Sequence, residues 1–425
     1  MITGPCLLPF RWRDSLHPNI DRLSARPTRR LYSFSCHVFA PGTLHIRQFS
    51  KHTIGCAASG MASRPRVEVL IEFGLWSLRG MIGMRAVLLE DYGVLKLIET
   101  HRPELTGQDQ VLVRTSVVGV CGSEIHAFNG SHPFREPPAV MGHEIVGIVA
   151  EAGSDCSSIK PGDRVTVDPQ WTCGTCSWCT SGRHNLCPKK TVLGTTGWSG
   201  GFGEYFVIPE NRVYPLPPGM SDSEAILIEP LSVGMHASRR AAVRDGEKAV
   251  VFGSGTIGLS TIAAARVYGA ATVVAVDLLD HCLIAATSAG ATAAVHAGAV
   301  SADDQIRSYV GKDGADVVFV TIGIPAVFEK ALSLVRPGGR IAMIALFDKP
   351  VSFEPFDIVG SDVSILGSQM YSDIDVKDAI SALVEGRAAI QHLVTHELPI
   401  EEARKAFDLT ISKKDNAIKV VLLHR

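Results

Sequence analysis

"KAVVFGSGTIGLSTIAAARVYGA", residues 248–270, is the stretch that decides the fold. A short apolar run suits a strand, Gly253, Gly255 and Gly258 follow as G-x-G-x-x-G, and an alanine-rich run suits a helix. The glycines permit a tight turn and close approach of backbone to a pyrophosphate, which the amides opening the helix attract. Thr256 and Ile257 complete that loop. Asp277 ends the next apolar run, nineteen residues after Gly258, where a carboxylate accepts from the ribose hydroxyls of an adenine dinucleotide. It would repel a 2'-phosphate, and "DLLDHC" (277–282) has no Arg to compensate, so NAD is expected rather than NADP. A glycine turn packed only for tightness is the alternative, and it leaves the order of strand, loop, helix and acid unexplained.

From 248 to about 367, "KAVVFG", "TVVAVD", "ADVVFVT" and "RIAMIAL" alternate with helical segments, which predicts βαβ units and a parallel, doubly wound sheet. Upstream, from Met84 to about 215, "VLVRTSVVGV", "EIVGIVAEAG", "DRVTVDP" and "EYFVIP" are short strand-like runs broken by Gly and Pro, an irregular all-β region. "MSDSEAILIEPLSVGMHASRR" (220–240) turns to helical spacing, with Ser221 and Glu224 placed as a capping box. The tail, 368–425, predicts two helices and a closing strand, "AIKVVLLH" (417–424). Residues 1–83 carry Arg, Ser and Pro without periodicity; they read as a disordered or transit-like extension, Met84 being a natural first residue.

The chain has 425 residues, 46% hydrophobic and 20% charged, the profile of a soluble globular protein. No apolar run reaches the length a membrane-crossing helix needs. The net charge of -2 divides into +6 over the first sixty residues and -8 over the rest. An acidic body argues against nucleic acid as a partner, since that interaction needs clustered Lys and Arg. The N-terminus lacks a secretory signal, so reduced thiols and a cytoplasmic address are expected, or a mitochondrial one if the extension is a transit peptide.

Four of the ten cysteines lie in "CGTCSWCTSGRHNLC", residues 173–187. Cys173, Cys176, Cys179 and Cys187 let one loop wrap four thiolates around a tetrahedral ion, which suits a closed, structural zinc. An iron-sulfur cluster is the competing occupant. A redox Cys-x-x-Cys needs only two thiols and a thioredoxin-like βαβ setting, which this segment lacks. Cys156 and Cys282 read as buried thiols without a role. "CGSEIHAFNG" with Cys121, "MGHEIVG" with His143 and Glu144, and "ILIEPLSVGMHA" with Glu229 supply Cys, His and Glu from separate segments that could converge on a second zinc with one open position.

In this order, with the cysteine lobe and the dinucleotide loop, and with "PGDRV" (161–165) and "RPGGRI" (336–341), the chain from Met84 onward resembles the zinc-dependent medium-chain alcohol and polyol dehydrogenases. The resemblance implies a GroES-like β-barrel catalytic domain (84–231 with 368–425), a Rossmann NAD-binding domain (232–367) and an active site in the cleft between them. It implies that Cys121 and His143 bind the catalytic zinc, with Glu144 or Glu229 as the carboxylate. It implies that Ser123 touches the substrate oxygen and that His126 passes the proton onward. Homo-oligomers, dimers or tetramers, are common among such enzymes. Glu229 stands where simple alcohol dehydrogenases tend to have Cys, which resembles the sorbitol dehydrogenase branch; the short linker from Cys121 to His143 looks more like enzymes acting on sugar acids. Two departures matter: Glu124 replaces the usual Asp, a methylene that could reorient a neighbouring ligand, and "AMIAL" lacks the Gly that often ends that strand. The expected reaction is oxidation of a secondary alcohol to a ketone by NAD. A zinc-free quinone or enoyl reductase and a non-catalytic zinc- and NAD-binding protein are the alternatives.

Overall fold

The computed structural model describes residues 83–347 and 349–425. The reading of residues 1–83 as a disordered or transit-like extension lies outside them, Gly83 apart.

The segment after residue 247 forms a six-stranded sheet of Lys248–Phe252, Thr272–Asp277, Ala293–His296, Ala315–Val320, Val335–Met343 and Ser364–Gly367. Its spatial order is third, second, first, fourth, fifth, sixth, and every neighbouring pair is parallel. This is the doubly wound order. Helices cover both faces, which is why the strands read as unbroken apolar runs. Ala249, Val251, Val273, Ala275, Val317 and Phe319 enter one core, while Val250, Phe252, Val274, Val276, Val318 and Val320 enter the other. Two of the six strands, Ala293–His296 and Ser364–Gly367, are edge strands of four residues, too short to announce themselves in sequence.

The helix Thr256–Val267 packs at close range where its buried residues are small, at Gly258, Ser260 and Ala263 to Ala265. A Cβ on Gly258 would lie 1.8 Å from the Gly253 carbonyl oxygen, and one on Gly234 of the helix Ile228–Arg240 would lie 2.4 Å from the Ser260 carbonyl oxygen. Gly253 itself has φ +94°, the left-handed region that glycine tolerates.

The all-β region holds a sheet ordered Val213–Pro215, Arg164–Val167, Ile145–Ala152, Gln110–Gly119, Lys419–Leu423, Val394–Pro399, with Tyr205–Pro209 also pairing with Gln110–Gly119. A three-stranded sheet of Val94–His101, Gly83–Asp91 and Ala139–Val140 adjoins it. The closing strand thus returns to the N-terminal half, antiparallel to Gln110–Gly119. The single helix expected over 220–240 is two: Asp222–Ala225, begun by the Ser221 and Glu224 capping box, and Ile228–Arg240. Pro230 is the cause, since it has no amide to donate to residue 226 and is tolerated only in a first turn.

Gly258→Ala is expected to cost about 1–3 kcal/mol by overpacking. The check is a lower denaturant midpoint with an unchanged slope.

Candidate active site

The short helix Gly122–Phe128 opens the site. Glu124 Oε2 accepts from the Cys121 amide at 2.8 Å, fixing the first turn. Ser123 and His126, three apart, share a face, and both are half-buried. His126 Nδ1 lies 2.9 Å from Ser131 Oγ.

His143 is buried, its Nδ1 2.5 Å from Glu124 Oε1. That contact holds the proton on Nδ1 and leaves Nε2 free as a metal ligand. Glu124 therefore reaches the histidine directly. Burial alone would push the His143 ring toward neutrality, yet Glu124 and Cys121 hold its pKa well above the usual value. Glu124 is held down to about 2 by His143 and Arg135 although burial opposes it.

Two ligand-distance groups meet at His143: Cys121, Glu124 and His143, and His143, Glu144 and Glu229. The two candidate glutamates differ in what faces them. Lys419 Nζ, from the closing strand, reaches Glu144 Oε1 at 2.8 Å and Oε2 at 2.6 Å, and both side chains are buried. Glu229, 5% exposed on the first turn of Ile228–Arg240, has no ion-pair partner among the described residues. Burial pushes its carboxyl up to about 7, with Glu144 adding to the rise and His143 opposing it. Cys121 and Glu229 each come within ligand distance of His143, but in separate groups rather than one. Chemically, a thiolate, an imidazole and a carboxylate are a set that suits zinc.

The four cysteines of the lobe are free thiols with their sulfurs within 4.8 Å of one another. Separations of 3.6 Å (Cys176 to Cys179 and Cys187 to Cys173) and 4.0 Å (Cys173 to Cys179) match the edge of about 3.8 Å of a tetrahedron with zinc-sulfur bonds near 2.3 Å. The Thr175 and Cys176 amides draw the Cys173 thiol down to about 6. A further acidic group, Asp168, His184 and Asp373, already has its cation: Arg212 Nη1 lies 3.0 Å from both aspartates.

One open cleft of roughly 410 Å³ brings Cys121, His126 and Glu144 together with Gly253, Gly255, Thr256, Ile257, Gly258 and Asp277. Asp277 is anchored by the Ser254 amide at 2.6 Å and the Leu279 amide at 3.0 Å, its remaining lone pairs free for hydroxyls. Cys282, expected to have no role, lines this cleft, and Cys156 is half-exposed rather than buried. Three residues were missed. Lys413, in left-handed backbone at φ +54°, brings a half-buried ammonium to the cleft wall. Lys419 had a signal, a lone cation in an apolar strand. Arg135 had none.

The alcohol dehydrogenase GroES-like domain pattern matches residues 107–218, and the zinc-binding dehydrogenase pattern residues 256–385. A sorbitol dehydrogenase of Bacillus subtilis (strain 168) is 34% identical over 345 residues, 80% of this chain and 97% of that protein. A D-xylulose reductase of Saccharomyces cerevisiae is 33% identical over 344 residues, 79% of this chain and 97% of that one. The crystal structure of 2R,3R-butanediol dehydrogenase from Bacillus subtilis superposes with a TM-score of 0.74 at 28% identity, covering 80% of this chain and all of that one.

Glu229 gives the metal-stripped protein a characteristic pH dependence. Unfolded, the carboxyl titrates near 4.5; folded, near 7. Between those values the unfolded chain releases its proton first, so stability falls as pH rises, by up to roughly 3 kcal/mol. Denaturant titrations of chelator-treated protein at pH 5 and pH 8 should show that fall, and Glu229→Gln should remove most of it. Parallel curves for the two proteins would refute the assignment.

Proposed function

The chain belongs to the zinc-dependent alcohol and polyol dehydrogenase family, and from that premise we propose that it oxidises a secondary alcohol of a polyol or sugar acid to the ketone, with NAD as hydride acceptor. The observation that carries the reading is the meeting at His143 of Cys121, which also lines the cleft walled by the glycine loop, and of Glu229, a buried carboxylate with no cation paired to it among the described residues. We assign Cys121, His143 and Glu229 to the catalytic zinc and Cys173, Cys176, Cys179 and Cys187 to a structural one. A zinc-free reductase has no use for a buried carboxylate without a cation.

When bound, zinc supplies the Lewis acidity that lets an alcohol ionise near neutral pH, and NAD supplies the hydride acceptor. The protein's residues do the rest. Ser123 sits two residues beyond Cys121 and meets the substrate oxygen. His126, on the same helical face and lining the cleft, takes the proton toward solvent, steadied by Ser131. Asp277 receives the adenosine ribose and disfavours a 2'-phosphate. Lys413 places positive charge on the wall of the same cleft as Asp277, where it would favour an anionic cofactor. Polyols are the substrate class because the relatives are named for sorbitol, xylulose and butanediol. The resemblance to family members supports assembly as a homo-oligomer.

A panel of polyols and sugar acids read at the nicotinamide absorbance tests this. NADH should form with at least one of them, and the protein should carry two zincs per chain. Cys121→Ser should lose one zinc and about a thousandfold or more in rate, the equivalent of several kcal/mol of charge stabilisation. Turnover that survives the substitution refutes the catalytic metal site. Cys176→Ser should lose the other zinc, and with it thermal stability.

A further inference from the structure

Arg135 is used by none of these steps, yet its side chain is only 2% exposed and points at two of the residues that matter. Nη1 donates to Ser123 Oγ at 3.0 Å and to Glu124 Oε1 at 3.2 Å. Glu124 Oε1 also contacts His143 Nδ1. The Nε of Arg135 is buried without a partner. The turn that delivers the guanidinium is tied by His132 Nδ1, which accepts from the Arg135 amide at 3.0 Å and the Phe134 amide at 3.3 Å.

We propose that Arg135 is a positioning residue that sets the hydrogen-bond direction of Ser123 and the reach of Glu124 toward His143; the inference rests on the dehydrogenase reading above. A hydroxyl has one proton and two lone pairs, and a guanidinium only donates. With one lone pair taken by Arg135, Ser123 keeps one acceptor position and one donor position. Among the described residues Ser123 Oγ has no other hydrogen-bond partner, so both remain for substrate and onward relay. A proton that arrives from the substrate oxygen can leave only along the other direction. The same guanidinium partly neutralises Glu124, whose uncompensated charge would otherwise oppose negative charge on the substrate oxygen.

A double-mutant cycle tests the Ser123 branch. Arg135→Gln should lower kcat about tenfold, the low end for groups acting behind a metal ligand, with KM for NAD within about twofold and zinc content unchanged. In a Ser123→Ala background the same change should cost less than about twofold. Arg135→Lys, which keeps the charge and a donor, should recover at least half of the loss and serves if the Gln variant folds poorly. Equal losses in both backgrounds, no recovery with Lys, or a kcat loss matched by lost zinc overturns the proposal. Cobalt-substituted protein gives a readout independent of substrate. Its ligand-field bands should shift in Arg135→Gln, where Glu124 no longer holds His143 in place, and should stay in Arg135→Lys. An unchanged spectrum in Arg135→Gln overturns the Glu124 branch. Because the spectrum needs no turnover, a wrong substrate assignment and a wrong role for Arg135 fail separately.

Discussion

Charge balance in a space nearly closed to water is the constraint from which the site follows. Cys121, Glu124, Glu144 and Glu229 bring four acidic groups around one imidazole, all but Cys121 buried. The chain answers two of them with buried cations, Arg135 at Glu124 and Lys419 at Glu144. The thiol and Glu229 have no such answer. Isolated buried charges cost several kcal/mol each, so without an ion the groups shift their titration instead, which is what the raised Glu229 and His143 values express. A divalent ion is the charge that the remaining thiolate and carboxylate require. The same ledger separates two glutamates that sequence left equivalent, because the one bonded through both oxygens to a lysine is already neutralised.

That pairing also depends on where the strand Lys419–Leu423 lies. Lys419 belongs to the closing strand, and it can neutralise Glu144 only if that strand inserts beside Gln110–Gly119. Gly119 completes the fit, since a side chain there would strike the Glu144 carboxylate, with a Cβ only 2.0 Å from Oε2. The site thus joins residues from the early β region, the helix Ile228–Arg240 and the last strand. The glycine loop reaches the same cleft because Thr256 Oγ1 donates to the Ile418 carbonyl, next to Lys419.

What was legible in the sequence was local. The glycine loop, Asp277 and the four cysteines each carry their meaning within about thirty residues, in spacings set by backbone turns or by the size of an ion. The sheet was legible where strands are long and buried on both faces, and was missed at its two short edges. Pro230 was a visible breaker overlooked in favour of a helical pattern on either side. The choice between Glu144 and Glu229 could not be read, because it depends on a lysine 275 positions away from Glu144. Arg135 was invisible for a related reason: a cation in a proline-flanked loop reads as solvated, and only the fold shows it buried.

Glu124, where the resemblance implies Asp, shows how such a departure is absorbed. Both oxygens of Glu124 are engaged, one by the Cys121 amide and one by His143 and Arg135. The added methylene lets one carboxylate span the helix start and the histidine together, so the helix that carries Cys121 and Ser123 is tied directly to the ligand in the next segment. A carboxylate so placed puts a full negative charge behind the imidazole in a region without water. A second cation from the intervening loop then becomes a condition of the arrangement, and Arg135 supplies it. On this argument the unusual acid and the buried arginine are one feature, and neither would hold its position in the absence of the other.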